Sequence, residues 1–309
     1  MDVVSIPVEV QRNLRTRLST RLAGFDMNML FLAATHTHTG PTLHQKRSND
    51  YGQAMQPREY VPFMLDRLAD AAAKAWEGRK PGAVAWGLGH AVVGSNRRVV
   101  YANGTAVMYG KINTPEFRRL EGWEDHAVDV LCFTDSEKQL VATAVTVPCP
   151  SQTVERLYEV SSDYWGHVRE NLKAKYGKGL VVLGFCGPAG DMVPRPMLRK
   201  AAESRMDKLR KISRKQELAR RIVAAFDETW EVIRSDLRTD VPFAHRVERF
   251  QVPGRKMTDQ EYEEAKKEYD KLANKGEVKS SYVASRKKWH KRVMDRYEAQ
   301  QKSDPVNTL

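Results

Sequence analysis

The sequence is poor in cysteine and has no long apolar run. Its 309 residues include three cysteines, which are too few and too scattered for a disulfide framework. No apolar stretch approaches the roughly 20 residues that a transmembrane helix needs. The N-terminus also lacks the basic-then-apolar order of a signal peptide. These absences predict a soluble chain and leave its compartment open.

Acidic residues are fewer than basic ones, which gives a net charge of +12. A basic chain suggests nucleic acid, anionic lipid or acidic partners. The excess is concentrated in helical stretches such as residues 199–221, where acids are interspersed, and this pattern is typical of a solvated helix face. The few aromatic residues in these stretches are not spaced as stacking platforms, so nucleic acid is not the favoured partner.

Hydrophobic residues make up 41% of the chain, enough for a sizeable core. Apolar periodicity predicts an α/β fold, with a mixed β-sheet core flanked by helices and a C-terminal charged helical hairpin. The predicted helices are 7–23, 58–77, 164–176 and 198–233, and the predicted strands are 29–34, 84–93, 128–133, 140–147 and 180–185.

Residues 1–250 are interpreted as one α/β catalytic domain and residues 251–309 as a helical extension of it. Thr258 and Glu261 have capping-box spacing before the first helix of the extension. A turn near Gly276 would join its two helices, and the last residues, KSDPVNTL, are expected to fray.

The stretch FLAATHTHTGPTL places His36 and His38 at the end of an apolar run. In an extended chain, side chains at i and i+2 point to the same face, so both imidazoles can reach one metal ion or one substrate. Histidine is the commonest neutral zinc ligand. A His-X-His pair alone is a weak signal, and it often marks only polar side chains at the end of a strand.

Polar residues also follow three other predicted strands. Arg97, in SNRR, offers a cation suited to an oxyanion or a carbonyl, with a structural salt bridge as the alternative. Cys149, in VPCPSQ, is either a small buried hydrophobic residue or a thiolate zinc ligand. Asp191, in GPAGDMVP, is either part of a tight turn or a carboxylate that orients a histidine.

Taken in order, the segments ATHTHTGP, SNRR, DHAVDVLCF, VPCPSQ, SSDYWGHVRENL and FCGPAGDMVP resemble the N-terminal catalytic domain of the neutral/alkaline ceramidase family, and its bacterial members in particular. The resemblance spans roughly residues 1–250. It implies a zinc amidohydrolase in which metal-activated water attacks the carbonyl of an N-acyl bond. The implied partner is a small N-acyl substrate, a lipid-like amide included.

The resemblance also implies roles for particular residues. His36 corresponds to the first zinc-binding histidine of the family, His38 to a neighbouring histidine that faces the substrate, and Arg97 to a substrate-site arginine. Cys149 takes the place of the second zinc histidine, so His36 and Cys149 are the implied ligands of Zn²⁺. Val193 stands where the family has a functional serine, so no serine role carries over.

Family members extend beyond this sequence at both ends, and their later strands supply a glutamate and a tyrosine to the zinc site. The chain is therefore interpreted as truncated, and its activity depends on whether the site is complete. Three functions stay open: a ceramidase-like zinc amidohydrolase, a degenerate member that binds a ligand without catalysis, and a basic module that binds anions or nucleic acid.

Overall fold

The computed structural model describes residues 1–44, 55–155, 157, 159–248, 250–273 and 281–308. They fall into two compact units, Met1–Ala244 and His245–Leu309.

The first unit combines helices with short strands. Its α-helices are α1 (Val8–Ser19), α2 (Pro57–Glu77), α3 (Tyr164–Tyr176), α4 (Lys200–Arg210) and α5 (Arg214–Ile233). Its strands are β1 (Ala83–His90), β2 (Ser95–Asn96), β3 (Arg98–Tyr101), β4 (Ala106–Met108), β5 (Phe117–Leu120), β6 (Ala127–Thr134), β7 (Leu140–Val147), β8 (Val181–Cys186) and β9 (Met192–Val193).

The main sheet has the strand order β1-β6-β7-β8. Neighbouring strands among β1, β6 and β7 run antiparallel, whereas β8 is parallel to β7. Helix α3 lies in the crossover connection from β7 to β8. The alternation along β6 buries Val128, Val130 and Cys132 on one face, and this face belongs to the core that includes the buried side chains of α3 and α5. Gly184 of β8 lets the Trp165 ring of α3 lie close, because a Cβ there would stand 2.5 Å from the ring. The predicted mixed α/β class and the 128–147 hairpin are confirmed.

A second core lies between α1 and α2, where Leu14, Leu18 and Leu65 are buried. Helix α2 ends at Glu77, before Gly78, as the sequence predicts. The strand predicted at 29–34 is wrong. A 3-10 helix covers Met27–Met29, and the chain beyond it is extended without forming a regular strand.

The chain just beyond this segment, at Thr35 and Thr37, is held by single backbone hydrogen bonds. Thr35 N donates to Met1 O at 2.9 Å and Thr37 N donates to Val3 O at 3.1 Å. On its other side, the segment accepts at Thr35 O from Ser151 N at 3.2 Å. These isolated bonds hold the segment in place, but they do not form the continuous ladder of a strand.

The helix predicted at 198–233 is two helices. Lys211 adopts a left-handed φ of 56° and ends α4. Ser213 then starts α5 with a capping box that it shares with Gln216. The break allows α4 to turn back toward α5, so that arginines and glutamates of the two helices meet.

A buried ion network joins these two helices. The Glu217 carboxylate is fully buried, and it accepts hydrogen bonds from Arg220 at 2.9 and 3.0 Å and from Arg221 at 2.8 Å. Arg214 and Arg221 also bind Glu203, each at 2.7 Å. Part of the positive charge expected on a solvated face is therefore neutralised inside the fold.

The second unit contains α6 (Asp259–Ala273), α7 (Ser281–Gln300), β10 (Gln251–Pro253) and β11 (Val306–Thr308). The two helices pack together, with the Tyr262 and Tyr297 rings stacked at 4.5 Å between centroids. This confirms the predicted pair of charged helices. The predicted turn near Gly276 lies outside the described residues. The predicted fraying of the last residues is wrong, because β11 pairs with β10.

The described parts of the chain hold no helix with the length and apolarity needed to cross a membrane.

Candidate functional site

The segment that follows the 3-10 helix brings both histidine rings together, although its backbone is not extended at His36. Thr35 and Thr37 are fully buried, and their hydroxyl oxygens lie 2.7 Å apart. The rings of His36 and His38 lie together, with 5.0 Å between their centroids. His36 has a left-handed φ of 56°, a conformation that is uncommon for a residue other than glycine.

His38 is held by the loop that follows β7. Its Nε2 lies 2.6 Å from Gln152 Nε2, and its Nδ1 lies 3.7 Å from Glu155 Oε2. Its backbone N donates to Ser151 O at 3.3 Å. Desolvation, assisted by His36, lowers the pKa of His38, while the Glu155 carboxylate acts in the opposite direction. The neutral imidazole is therefore favoured at pH 7.

Arg97 is anchored by the loop before β9 and by Tyr109, which follows β4. Its Nη2 donates to Gly190 O at 2.8 Å and its Nη1 donates to Tyr109 Oη at 3.1 Å. The guanidinium groups of Arg97 and Arg195 each lie 5.6 Å from the centre of the Tyr109 ring. Arg195 also forms an ion pair with Glu155. Arg97 is thus linked to His38 by a series of contacts that runs through the Tyr109 ring, Arg195 and the Glu155 carboxylate.

The charge of Arg97 adds to the lowering of the pKa of His38 and opposes the rise in the pKa of Cys149. Contacts bring the predicted residues into one neighbourhood, because Tyr109, Arg195 and Glu155 link Arg97 to His38, which lies beside His36. Cys149 is close in the chain to Ser151, which bonds to the backbone of Thr35 and His38. Cys149 itself is buried in the main core, and its thiol donates to Pro150 O at 3.6 Å. Burial raises the pKa of this thiol well above its ordinary value, so it is protonated at neutral pH.

Asp191 lies next to Arg97, whose backbone N donates to Asp191 O at 2.8 Å. Its carboxylate accepts from Asn96 Nδ2 at 2.7 Å. Among the described residues, no imidazole is hydrogen-bonded to this carboxylate. Asp191 thus fixes the turn that carries Arg97, and its carboxylate orients an amide.

Four residues that contact the predicted site were missed from the sequence. Gln152 is the last residue of VPCPSQ, Glu155 lies three residues after it, and Arg195 directly follows GDMVP, so their positions after strands were the available signal. Tyr109 follows β4 with a left-handed φ of 56°, and the sequence carries no sign of this conformation.

The donors in the described parts of the chain do not make up a complete zinc site. A catalytic zinc normally takes three protein ligands, and no three His, Cys, Asp or Glu side chains are grouped to hold a metal there. The implied pair His36 and Cys149 supplies two donors at most, and one of them is a buried, protonated thiol.

No protein-family model and no curated protein matches this chain. Several solved structures are similar to it, and two of them are ceramidases. A neutral ceramidase from Pseudomonas aeruginosa is 20% identical with a TM-score of 0.55, and a ceramidase complexed with C2 is 18% identical with a TM-score of 0.53. Each match covers 72% of this chain and 34% of the other, so the chain spans about a third of the length of those proteins. At this identity the likeness shows a ceramidase-like fold.

Proposed function

We propose that the chain hydrolyses N-acyl amide bonds, with water as the nucleophile and a ceramide-like amide as one substrate class. Its fold is similar to that of ceramidases. The observation that carries the proposal is the convergence of His36 and His38 with Arg97, since amide hydrolysis requires donors where negative charge develops on the carbonyl oxygen.

In this proposal Arg97 stabilises the carbonyl oxygen. A guanidinium has five N–H donors. Among the described residues, the Arg97 side chain donates to Gly190 O and Tyr109 Oη, so other N–H groups are left for a substrate. The remaining donors include the buried Nε, which has no partner among the described residues. His38, held by Gln152 and Glu155, faces the substrate amide, and Asp191 acts as a positioning residue for the Arg97 turn.

Zinc is part of the proposal, with His36 and Cys149 as the ligands that this chain contributes. A catalytic zinc normally has three protein ligands, so a working site would need at least one ligand besides His36 and Cys149. The expected result is zinc retained after mild chelation and dialysis, and a clear loss of zinc in Cys149→Ala. Full zinc content in Cys149→Ala would rule out the thiol as a ligand.

The hydrolysis itself is tested with fluorogenic N-acyl amides, using purified chain supplied with zinc. Arg97→Met is expected to lower kcat/KM by about 100-fold or more, which is typical for loss of one oxyanion donor. Arg98→Met is the matched control, because Arg98 is the next residue and pairs with Glu121. Absence of hydrolysis for every N-acyl amide tried, or equal losses in the two variants, would count against the proposal.

A ligand-binding protein without turnover is the second candidate. It is favoured by the lack of a three-ligand metal cluster in the residues described. Saturable binding of an N-acyl amide by wild-type protein, without release of the free amine, would support it over hydrolysis.

A further inference from the structure

A cavity of about 450 Å³ adjoins the candidate site. Tyr109 and Arg195, which connect Arg97 to Glu155, form part of its wall. Pro196 and Met197 give the wall an apolar side, and Lys200 at the start of α4 also lines it. The cavity is within the size range of small-molecule sites, and the residues that it shares with the site make it a continuation of that site.

Most charges on the cavity wall are neutralised by neighbours. Arg195 is paired with Glu155. Arg214 lies 2.7 Å from Glu203 and 3.6 Å from Asp207. Lys200 differs, because its ammonium has no carboxylate at ion-pair distance in the part of the chain that the structure describes. The wall therefore offers a cation that is available to an anionic ligand.

The position of Lys200 runs against the usual preference of helices. Basic residues are unfavourable in a first turn, because the N-terminal end of the helix dipole is positive. The residue before α4, Arg199, has a left-handed φ of 57° and provides no side-chain cap. Departures from local rules of this kind are expected at functional positions. The acidic residue of the same first turn, Glu203, is paired with Arg214 and Arg221, so it leaves Lys200 unpaired.

Thr153 adds a neutral hydrogen-bonding group to the same wall. Its hydroxyl oxygen is buried and has no hydrogen-bond partner among the described residues. A carboxylate can accept from both a hydroxyl and an ammonium group. The cavity thus combines a cation, an unsatisfied hydroxyl and apolar surface.

We propose that this cavity binds a carboxylate on the amine half of the substrate, so that N-acyl amino acids are preferred to N-acyl amino alcohols. The proposal rests on the function proposed above. With the amide carbonyl at Arg97, Tyr109 separates the scissile bond from the cavity that receives the amine half. Lys200 is then the residue that determines specificity for the carboxylate.

The test compares two ligands with the same acyl chain. N-octanoylglycine ends in a carboxylate, and N-octanoylethanolamine has a hydroxymethyl group in its place. Their dissociation constants are measured by titration calorimetry on the full chain. A hydrogen bond to a charged group is stronger than one between neutral groups, so we expect N-octanoylglycine to bind about 10-fold tighter or more. Lys200→Met should remove most of this preference, and Lys200→Arg should retain it.

Lys208→Met is the matched control, since Lys208 is an exposed lysine of the same helix that does not line the cavity. It should bind both ligands as the wild type does. Equal affinity for the two ligands, or an unchanged preference in a folded Lys200→Met, would overturn the proposal. The titrations are run on protein without added zinc, so that binding is measured apart from hydrolysis. A preference for the carboxylate in a chain that hydrolyses nothing would then refute only the hydrolase function.

Discussion

Replacing Glu217 by glutamine tests whether the buried ion network stabilises the first unit. Hydrogen bonds from Arg220, assisted by Arg221, lower the pKa of the Glu217 carboxyl from 4.5 to about 2. Because the folded pKa is below the unfolded pKa, this stabilisation is complete above about pH 4.5 and is lost as the pH falls toward 2. At about 1.4 kcal/mol per pKa unit, the shift corresponds to about 3 kcal/mol at pH 7.

Linkage also gives the size of the pH effect. At pH 3 the carboxyl of Glu217 is almost fully protonated in the unfolded state but still mostly ionised in the folded state, so about 1.4 kcal/mol of its stabilisation remains. Wild type should therefore lose about 2 kcal/mol more than Glu217→Gln between pH 7 and pH 3. The measurement is urea denaturation of both proteins at the two pH values, followed by circular dichroism.

Glu231→Gln is the control for this experiment, because Glu231 lies on the same helix and is exposed. It should leave the free energy of unfolding within about 0.5 kcal/mol of wild type at both pH values. A Glu217→Gln protein as stable as wild type at pH 7, or one with the same pH dependence as wild type, would refute the assignment of stability to this network.

Two further substitutions test the packing around α3. Gly184→Ala would bring a methyl group within 2.5 Å of the Trp165 ring, so we expect a loss of about 1–3 kcal/mol in urea denaturation; unchanged stability would show that the ring has room to move. Asp163→Ala removes a carboxylate with two roles. It caps α3 by accepting from Tyr164 N at 2.7 Å, and it also accepts from Val154 N at 3.0 Å. Its loss should cost about 1–2 kcal/mol, with Asp163→Asn as the conservative control, and an Ala variant as stable as the Asn variant would contradict this role.

Local signals explain how much of the fold could be predicted from the sequence. The helix predicted at 58–77 was found at Pro57–Glu77, because its apolar spacing and Gly78 lie within the segment itself. The break at Lys211 was missed, although the Ser213–Gln216 capping box was visible in the sequence. The burial of Glu217 depends on that break, so a network that neutralises charge was interpreted as a solvated face.

The candidate site was predictable only in part. His36, His38 and Arg97 stand at chain positions where strands or apolar runs end, and such positions can be recognised in the sequence. Gln152 and Glu155 contact His38 across more than 110 residues of chain, so no local pattern reveals them. The strand predicted at 29–34 failed because its first residues form turn bonds, with Met29 N donating to Asp26 O and Leu30 N donating to Met27 O. The single bonds at Thr35 and Thr37 beyond it are too few for a ladder.

The left-handed backbone of His36 affects how its imidazole should be removed in mutagenesis. Alanine at this position would keep the backbone strain while losing the ring, so impaired activity and impaired folding would be mixed. Glycine and asparagine both tolerate a φ near 56°. His36→Gly and His36→Asn therefore delete the same ring on a backbone that either residue accepts, and an effect common to both reports the chemistry of the imidazole.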